Sequence, residues 1–502
     1  MRVCLFTINA KGFELPPFAL WVLKAYIHQY GPENNVNADI SVLSFPEEMP
    51  VETIIDRISL EKPDVIGASH YIWNDEKMMS ILPVLKEAVG NSVVIAGGPQ
   101  VDATDTRLIS LLENGSMDAL VIGEGEQPLL HALRCIAEGS EIKPVEGLVC
   151  KEGNRINPLV PQLLLKGTSI DYLPNPYRVI PELMHRSLEA GSIQYETSRG
   201  CPFSCTFCDQ GHKAYRSLSM ERIKDDLAFV SKFNPKHIDF LDGTFNLNPK
   251  RTIEILNYLI DLNVDWTFHA EIKPENLTDE EIRLMAKANF RTVELGLQTI
   301  HANTLKAIKR QNRWDALERT VKSLNEAGIE IVVNTIIGLP GETLTDWYET
   351  LDYCFGLGRV RILSNTLKIL PNTIMATQIE DYGFIYDKEN FNAITSTKTL
   401  SSLDLKMAQT INALVHLFWN EADMPVSVRL ITEQVFKGKF HRLLVNICTL
   451  MLEHPQLLST PNYKATLLNR LLIDIETDYI DLQQIKHQIN KDFVNGVNSH
   501  AY

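Results

Sequence analysis

Short apolar runs alternate with helix-length amphipathic segments in two long stretches of this chain, and this alternation limits the possible folds more than any other feature. The first stretch covers residues 1 to about 150, and the second begins near residue 190. A parallel strand needs a crossover connection, usually a helix, before the next strand can pair beside it. The pattern therefore predicts two α/β domains in series.

The first stretch predicts a doubly wound parallel sheet, a Rossmann-like domain, over residues 1–140. The expected strands include RVCLFTI, DISVLSF, DVIGAS, SVVIAGG and ALVIGEGE. Gly97, Gly98 and Gly123 lie at the ends of the last two of these strands. Since open α/β sheets bind ligands outside the carboxyl ends of their strands, we expect a ligand crevice at this edge.

The second stretch predicts a partial (β/α)6 barrel of the TIM type over residues 190–380, with its chemistry at the carboxyl ends of the strands. Residues 141–189 are rich in proline and lose the periodicity, so we predict a linker there. Residues 381–502 have a helical pattern. We expect this last region to cap the barrel and to shape a substrate pocket.

Composition excludes several classes of protein. The formal net charge of -15 argues against nucleic acid as a partner, because binding to phosphates requires clustered Lys and Arg. No apolar run is long enough to span a membrane, and the apolar stretch at the start is too short for a signal peptide. Eight cysteines in 502 residues are too few for a disulfide framework. We therefore expect a cytoplasmic protein.

Cys201, Cys205 and Cys208 occur within the segment RGCPFSCTFCDQG, directly after a predicted strand. A structural zinc site or a ferredoxin cluster uses four protein ligands, so three cysteines leave one iron of a 4Fe-4S cube open. An open iron can bind the amino and carboxylate groups of S-adenosylmethionine (SAM), and Phe207 is suitably placed to contact the adenine. Two alternatives stay open: a zinc ion with His212 as the fourth ligand, and cysteines that are merely buried.

The CxxxCxxC motif at 201–208 resembles that of the radical SAM superfamily, and later segments match that family in order over about residues 190–375. The resemblance implies a 4Fe-4S cluster that cleaves SAM reductively to a 5'-deoxyadenosyl radical. It also implies an electron donor such as flavodoxin or ferredoxin.

The same resemblance implies roles for residues near four strand ends. Asp242, Gly243 and Thr244 stand where many members have Gly-Gly-Glu and would receive the SAM amino group. Glu294 and Gln298 would bind the ribose or carboxylate of SAM, and Arg310 would pair with the carboxylate. Gly338, followed by Pro340, Gly341 and Glu342, would shape the adenine side. His237, Asp239 and His269 are either substrate-side groups or structural residues.

The first domain resembles the cobalamin-binding domain of cobalamin-dependent (class B type) radical SAM enzymes, through ASHYIWN, AGGPQ and IGEGEQ. In that case Gly97, Gly98 and Gly123 would let the backbone approach the corrin ring, and Ser69 would hydrogen-bond the nucleotide tail. The loop after the first strand, NAKGFELPPF, lacks an Asp-x-His-x-x-Gly motif, which implies cobalt without a histidine ligand. Alternatively, the domain keeps the fold without the cofactor.

Together these resemblances imply a cobalamin-dependent C-methyltransferase that acts on a small-molecule or peptide substrate. Such an enzyme uses SAM twice, once to methylate cobalamin and once as the source of the radical. A rearrangement, cyclisation or oxidation without methylation stays open, as does a non-catalytic cobalamin or iron-sulfur sensor. A transfer RNA methylthiotransferase needs a second set of three cluster ligands, and we do not expect Cys4, Cys135 and Cys150 to converge.

Overall fold

The computed structural model describes residues 1–153, 155–211, 213–265, 267–421, 424–460, 462–474 and 482–499. Its N-terminal sheet has the strand order β2-β1-β3-β4-β5-β6-β7. The strands are β1 (Arg2–Ile8), β2 (Asp39–Phe45), β3 (Val65–Ser69), β4 (Val93–Gly97), β5 (Ala119–Val121), β6 (Leu148–Glu152) and β7 (Arg155–Ile156). The first five strands pair in parallel, and β6 and β7 continue the sheet in antiparallel pairing.

Helices cover both faces of this sheet. They are α1 (Phe18–Tyr30), α2 (Val51–Leu60), α3 (Asp75–Val89), α4 (Thr106–Asn114) and α5 (Glu126–Ala137). Alternate residues of β1 enter two separate cores: Leu5 packs with α1 and α5, whereas Phe6 packs with α2, α3 and α4. Apolar burial on both faces confirms the doubly wound sheet that the strand–helix alternation predicts.

The segment 141–189, for which we predict a linker, contains β6 and β7 as well as two helices. These helices are α6 (Pro176–Val179) and α7 (Pro181–Glu189). Both helices begin at a proline, whose missing N–H and fixed φ suit the first position of a helix. The Tyr177 hydroxyl donates to the carbonyl of Gln194 over 2.9 Å and thereby joins α6 to the next strand.

A second parallel sheet follows, in the order β15-β14-β13-β12-β11-β8 among the described residues. The chain here runs through β8 (Ile193–Tyr195), β9 (Ser198–Arg199), β10 (Arg216–Ser217), α8 (Met220–Ser231), β11 (His237–Phe240), α9 (Pro249–Leu262), β12 (Thr267–Ile272), α10 (Asp279–Lys287), β13 (Phe290–Gln298), α11 (Ala302–Ala307), α12 (Trp314–Glu326), β14 (Glu330–Ile337), α13 (Leu344–Gly356) and β15 (Arg361–Thr366). The six parallel strands with β8 and β15 at the edges confirm the partial barrel.

The C-terminal region is mainly helical and packs on the last barrel units, because α15 contacts β15 and α17 contacts α13. Its elements are α14 (Ile379–Tyr382), β16 (Ile385–Asp387), β17 (Ala393–Ser396), α15 (Ser402–Val415), α16 (Pro425–Gln434), α17 (Phe440–Glu453), α18 (Tyr463–Asp474) and α19 (Leu482–Ser499). A search of the described residues for a helix both long and apolar enough to cross a membrane finds none.

Candidate active site

The three cysteines lie in one loop, residues 200–215, which we call the cysteine loop. The short antiparallel ladder of β9 and β10 closes it at the base, where Arg199 pairs with Arg216. The loop begins at Gly200, whose φ is +79°, and a Cβ at this position would overlap the backbone of Ala214. Glycine is therefore required for the two ends of the loop to approach each other.

The cysteine sulfurs face two other parts of the barrel. Cys201 and Cys208 are half-buried, and Cys205 is buried. The Sγ atom of Cys201 lies 3.9 Å from Oγ1 of Thr244, which follows β11. The Nη1 atom of Arg310, which follows α11, donates a hydrogen bond to Sγ of Cys205 over 3.7 Å. The loop is thus held at the carboxyl end of the barrel, where the chemistry of such folds occurs.

No three Cys, His, Asp or Glu side chains in the described part of the chain are grouped closely enough to hold a single metal ion. Cysteines that each bind a different iron of a cube need not converge on one point, so this spacing is compatible with a cluster. His212, the fourth ligand of the alternative zinc site, lies outside the described residues.

Asp242 is 1% exposed, and its carboxylate accepts hydrogen bonds from the segment that precedes the cysteine loop. The donors are the backbone N–H of Thr197 at 3.0 Å, the hydroxyl of Thr197 at 2.5 Å, and the hydroxyl of Ser198. Both oxygens are therefore used inside the protein. The next two residues are more accessible, since Gly243 is exposed and Thr244 is half-buried beside Cys201.

The end of β13 has an unusual backbone. The register against β14 shifts between Gly296 and Gln298, and the φ of Gln298 is +69°. Left-handed residues other than glycine concentrate at functional sites, because the surrounding structure must stabilise them. The Oε1 atom of Gln298 is buried and has no hydrogen-bond partner among the described residues. Gln298 therefore offers an acceptor to a ligand.

The guanidinium group of Arg310 lies against the end of β13, and three hydrogen bonds fix its orientation. Its Nη2 donates to the carbonyl of Gly296, its Nε donates to Oδ1 of Asn312 over 3.1 Å, and its Nη1 points to Cys205. The structure therefore brings Arg310, Gln298 and the cysteine loop together, although they are widely separated in sequence.

Charged side chains form a connected network inside the barrel. His269 lies 3.5 Å from a carboxylate oxygen of Asp239 and 3.7 Å from one of Glu294, and these two carboxylates raise the pKa of His269 to about 9. Although burial opposes it, hydrogen bonds from His237, His269 and Ser192 hold the pKa of Asp239 well below its usual range. A hydrogen bond from His269 likewise lowers the pKa of Glu294. The predicted His237, Asp239, His269 and Glu294 thus belong to one hydrogen-bonded unit.

Glu271 is a further member of this face that the sequence interpretation missed. It lies two residues after His269 on β12 and pairs in register with Glu294. The side chain of Glu271 is exposed, and desolvation of its carboxyl group, followed by the charge of Glu294, raises its pKa above the usual range. The alternation of apolar and polar residues in TFHAEI was the available signal.

Gly338 and Glu342 lie after β14 and are enclosed by the protein. A Cβ at Gly338, whose φ is +86°, would overlap the side chain of Ile394 in β17. Glu342 is 2% exposed, and neither carboxylate oxygen has a hydrogen-bond partner among the described residues. Burial raises the pKa of Glu342 to about 8.

Phe207 is half-buried and packs against the apolar core beside Cys208.

The carboxyl edge of the first sheet is stabilised by internal hydrogen bonds. The Nδ2 atom of Asn74 donates to the hydroxyl of Thr7 over 3.2 Å, to the carbonyl of Ile8 over 3.0 Å and to the carbonyl of Ser69 over 3.2 Å. Tyr71 and Trp73 stack with their ring centroids 4.4 Å apart. Ser69 is therefore fixed at the end of β3, next to a pair of aromatic rings.

Neighbouring protein atoms, rather than empty space, surround the three predicted cofactor glycines. A Cβ at Gly98, whose φ is +111°, would overlap the carbonyl oxygen of His70. One at Gly123 would lie 2.6 Å from Oε1 of Gln162, and one at Gly97 would lie 3.3 Å from Cβ of Val121. Packing within the chain is therefore sufficient to require glycine at positions 98 and 123, and their contact with a corrin ring stays a prediction.

The structure separates the three cysteines of the first domain. Cys4 packs in the core on one face of the sheet, whereas Cys135 and Cys150 pack in the core on the other face. The three sulfurs therefore cannot ligate one cluster, as we expected.

Two acidic residues of IGEGEQ form ion pairs with the base of the cysteine loop. Arg199 Nη2 lies 2.8 Å from Oε1 of Glu126, and Arg216 Nη2 pairs with Glu124. Sequence reasoning missed these pairs because the partners are far apart in the chain. The only available signal was that two arginines flank the cysteine motif while two glutamates end the first sheet.

The same two regions match known families. The family model of the Radical SAM superfamily matches residues 195–354, and that of the B12 binding domain matches residues 6–133. An uncharacterized methyltransferase of Pyrococcus horikoshii is 27% identical over 352 residues, which cover 68% of this chain and 73% of the relative.

Another relative is the cobalamin-dependent radical SAM methyltransferase TokK of Streptomyces tokunonensis, which is 25% identical over 397 residues. That alignment covers 74% of this chain and 57% of TokK, so the chain matches little more than half of the length of TokK. The solved structure of the cobalamin-dependent S-adenosylmethionine radical enzyme OxsB, with aqua-cobalamin and SAM bound, has a TM-score of 0.65 at 16% identity. The superposition covers 99% of this chain and 84% of the OxsB chain, which shows that the two folds are similar.

Proposed function

This chain joins a B12-binding domain to a radical SAM domain, as the cobalamin-dependent radical SAM enzymes do, and we propose that it is a C-methyltransferase that acts on a small molecule or a peptide. The observation that carries the proposal is the contact between the two carboxyl edges. Residues that end the first sheet form ion pairs with both ends of the cysteine loop. A cobalamin at the first edge and a cluster in the loop would therefore face one another.

The donor set of the loop fits a 4Fe-4S cluster. Cys201, Cys205 and Cys208 supply three thiolates, and Arg310 donates a hydrogen bond to one of their sulfurs. When bound, the cluster supplies an electron that cleaves SAM, and cobalamin carries the methyl group to the substrate.

The residues around the loop fit SAM. Gly243 and Thr244, which are accessible beside Cys201, would receive the amino group, whereas Asp242 would hold the start of the loop. Gln298 has a free acceptor for a ribose hydroxyl, and Arg310 presents a fixed cation for the carboxylate. Phe207 and Gly338 would lie on the adenine side.

The carboxyl edge of the first sheet would hold cobalamin through the shape of its backbone and a few polar groups. We assign the nucleotide tail to the vicinity of Ser69, and the corrin ring to the edge formed by Gly97, Gly98 and Gly123. Glu294 would bind the ribose or carboxylate of SAM, whereas Asp239 and His269, which are linked to it, would orient a polar substrate inside the barrel. A flavodoxin or a ferredoxin would supply the electron that each SAM cleavage consumes.

The test uses the whole protein, reconstituted without oxygen with iron, sulfide and cobalamin. It is incubated with methyl-labelled SAM, a metabolite extract and a low-potential reductant, either reduced flavodoxin or dithionite. We expect cobalamin absorbance, 5'-deoxyadenosine, S-adenosylhomocysteine and a labelled product. The Cys201→Ala variant is the matched control and should form no deoxyadenosine. Deoxyadenosine with no label in any product would contradict methyl transfer and would favour a rearrangement, cyclisation or oxidation.

A further inference from the structure

Four charged side chains connect the two domains, and we call them the interdomain clamp: Arg199, Arg216, Glu124 and Glu126. Arg199 Nη2 lies 2.8 Å from Glu126 Oε1, and its Nη1 lies 3.3 Å from Glu124 Oε2. Arg216 approaches Glu124 with both terminal nitrogens, Nη1 at 3.3 Å from Oε2 and Nη2 beside Oε1. Glu124 therefore accepts from both arginines and ties the pairs into one unit.

The clamp is largely removed from water. The side chains of Arg216, Glu126 and Arg199 are 4%, 7% and 13% exposed. Charges at this depth are costly unless they are paired, and an ion pair of this kind is weak evidence for stability because apolar residues would often be at least as stable. The clamp instead contributes geometry, because a guanidinium group paired with a carboxylate fixes both the distance and the angle between the two groups.

Each half of the clamp has further contacts that hold it in place independently of the other half. Arg199 and Arg216 are paired on the ladder of β9 and β10, and the Nε of Arg199 also lies 2.8 Å from Oε2 of Glu196. Gln162 holds the backbone of Glu124 from both sides, accepting from its N–H over 2.9 Å and donating to its carbonyl over 2.6 Å. Because both halves are held in place, their contact fixes the position of one domain relative to the other, which flexible side chains would not do.

The clamp lies between the carboxyl edge of the first sheet and the base of the cysteine loop. Glu124 and Glu126 follow β5 at the carboxyl edge of the first sheet, and Arg199 precedes the first cluster cysteine by two residues. The barrel has a second contact with this edge, but it is a neutral one: Nδ2 of Asn372 donates to the carbonyl of Val101 over 3.2 Å. The ionic contact is thus made by the ladder that carries the cysteine loop.

We propose that the interdomain clamp sets the separation between the cluster and the cobalamin, so that its four members are positioning residues for methyl transfer. This inference rests on the proposed function, since it needs both cofactors in one chain. A clamp that merely joined the domains would affect stability and every reaction together. A positioning clamp affects only the step that spans the two domains, because misplacement of about 1 Å can cost about a hundredfold in rate.

Pulsed EPR tests the separation directly. Reduced cluster and cob(II)alamin each carry an unpaired electron, and their dipolar coupling reports the distance between them. The variants are Glu124→Gln, Glu126→Gln and the double variant, with Glu138→Gln as the matched control, because Glu138 is an exposed carboxylate at the end of α5 outside the clamp. We expect one narrow distance distribution in the wild type and the control, and a broader or longer one in the clamp variants. An unchanged distribution in the double variant would overturn the proposal.

Product analysis gives a second test, because a positioning role and a purely structural role predict different losses of two products. S-adenosylhomocysteine reports methyl donation from SAM in the barrel to cobalamin in the first domain, whereas 5'-deoxyadenosine reports chemistry within the barrel alone. We expect the clamp variants to lose about tenfold or more of the first product and less than about twofold of the second. Equal losses of both products would show that the clamp only supports the fold.

Arg216→Lys keeps the charge but removes the fork, so it should give an intermediate distance distribution and should decide the question if the double variant does not fold. Failure of the proposed function gives a different result. A wild-type protein that binds no cobalamin, or that forms no S-adenosylhomocysteine, contradicts the methyltransferase assignment before any clamp variant is compared.

Discussion

The carboxyl edge of the barrel and the carboxyl edge of the first sheet are built on different principles. The barrel edge presents three cysteines, a fixed guanidinium group and the amide oxygen of Gln298, which has no hydrogen-bond partner within the described part of the chain. The first edge uses its polar side chains within the protein. Asn74 donates to atoms of β1 and β3, Glu124 and Glu126 pair with arginines of the barrel domain, and the glycines are packed against other residues.

This difference indicates two ways to hold a cofactor. Ligation by thiolates depends on individual atoms, so the loss of one side chain should remove the cofactor. Binding of a large macrocycle spreads over many contacts, so one side chain should contribute little, whereas a change in backbone shape should matter.

Replacement of Cys201 by alanine should abolish the cluster. We expect the broad iron-sulfur absorbance to disappear and 5'-deoxyadenosine formation to fall to background, because two cysteines cannot retain a cube that three hold. Cys448→Ala in α17 is the matched control and should keep both signals. A variant without Cys201 that still cleaved SAM would remove the distinction between the two edges.

Replacement of Gly98 by alanine should disrupt the first edge. A Cβ there meets the His70 carbonyl, and the φ of +111° strains any other residue. We expect the free energy of unfolding to fall by about 2 to 5 kcal/mol in urea titrations, together with loss of cobalamin binding. Gly97→Ala is the control, since its nearest neighbour would be a side-chain carbon at 3.3 Å, and it should cost about 1 kcal/mol. Equal effects at both positions would contradict this account of the edge.

Glu342→Gln should stabilise the barrel edge in a pH-dependent manner. The folded protein keeps a proton on Glu342 up to about pH 8, whereas the unfolded chain releases it near the ordinary pKa of 4.5. The wild type therefore loses stability as the pH rises from 4.5 to about 8, and the neutral variant does not. We expect equal stability of both proteins below pH 4.5 and a gain of up to about 5 kcal/mol for the variant above pH 8, measured by chemical denaturation. A gain that did not vary with pH would show that Glu342 is not the titrating group.

Ser69→Ala should have the smallest effect. One hydrogen bond to the nucleotide tail contributes about 1 kcal/mol, so the dissociation constant for cobalamin should rise about fivefold. Absorbance titration measures it, with the exposed Ser80→Ala in α3 as the unchanged control. A complete loss of binding would mean that the first edge, like the barrel, depends on single side chains.

Much of the fold could be predicted because its signals are local. Alternating apolar runs and helical segments gave both parallel sheets, since side-chain periodicity reflects which face of each element is buried. The two strands β6 and β7 were not anticipated within the predicted linker, because a short antiparallel extension of a parallel sheet has no distinctive periodicity. The cysteine spacing was equally local, so the loop could be identified from sequence.

The candidate site was harder to predict wherever a residue acts through a distant partner. Asp242 stands at a strand end as expected, yet its carboxylate is occupied by Thr197 and Ser198. Gly123 looked available to a ligand, but Gln162 lies over it. Such contacts depend on how separate elements pack, which no single segment encodes.

Residue type and short-range spacing were enough to predict the order of the domains, the wound sheets and the cysteine loop, whose three thiols stay predicted cluster ligands. The ion pairs between IGEGEQ of the first domain and the arginines on both sides of the cysteine loop became visible only in the folded chain. The same holds for the contact of Arg310 with Cys205, 105 residues away in sequence. Ion pairs and hydrogen bonds act through space, so their partners are set by how the elements pack and not by their distance along the chain.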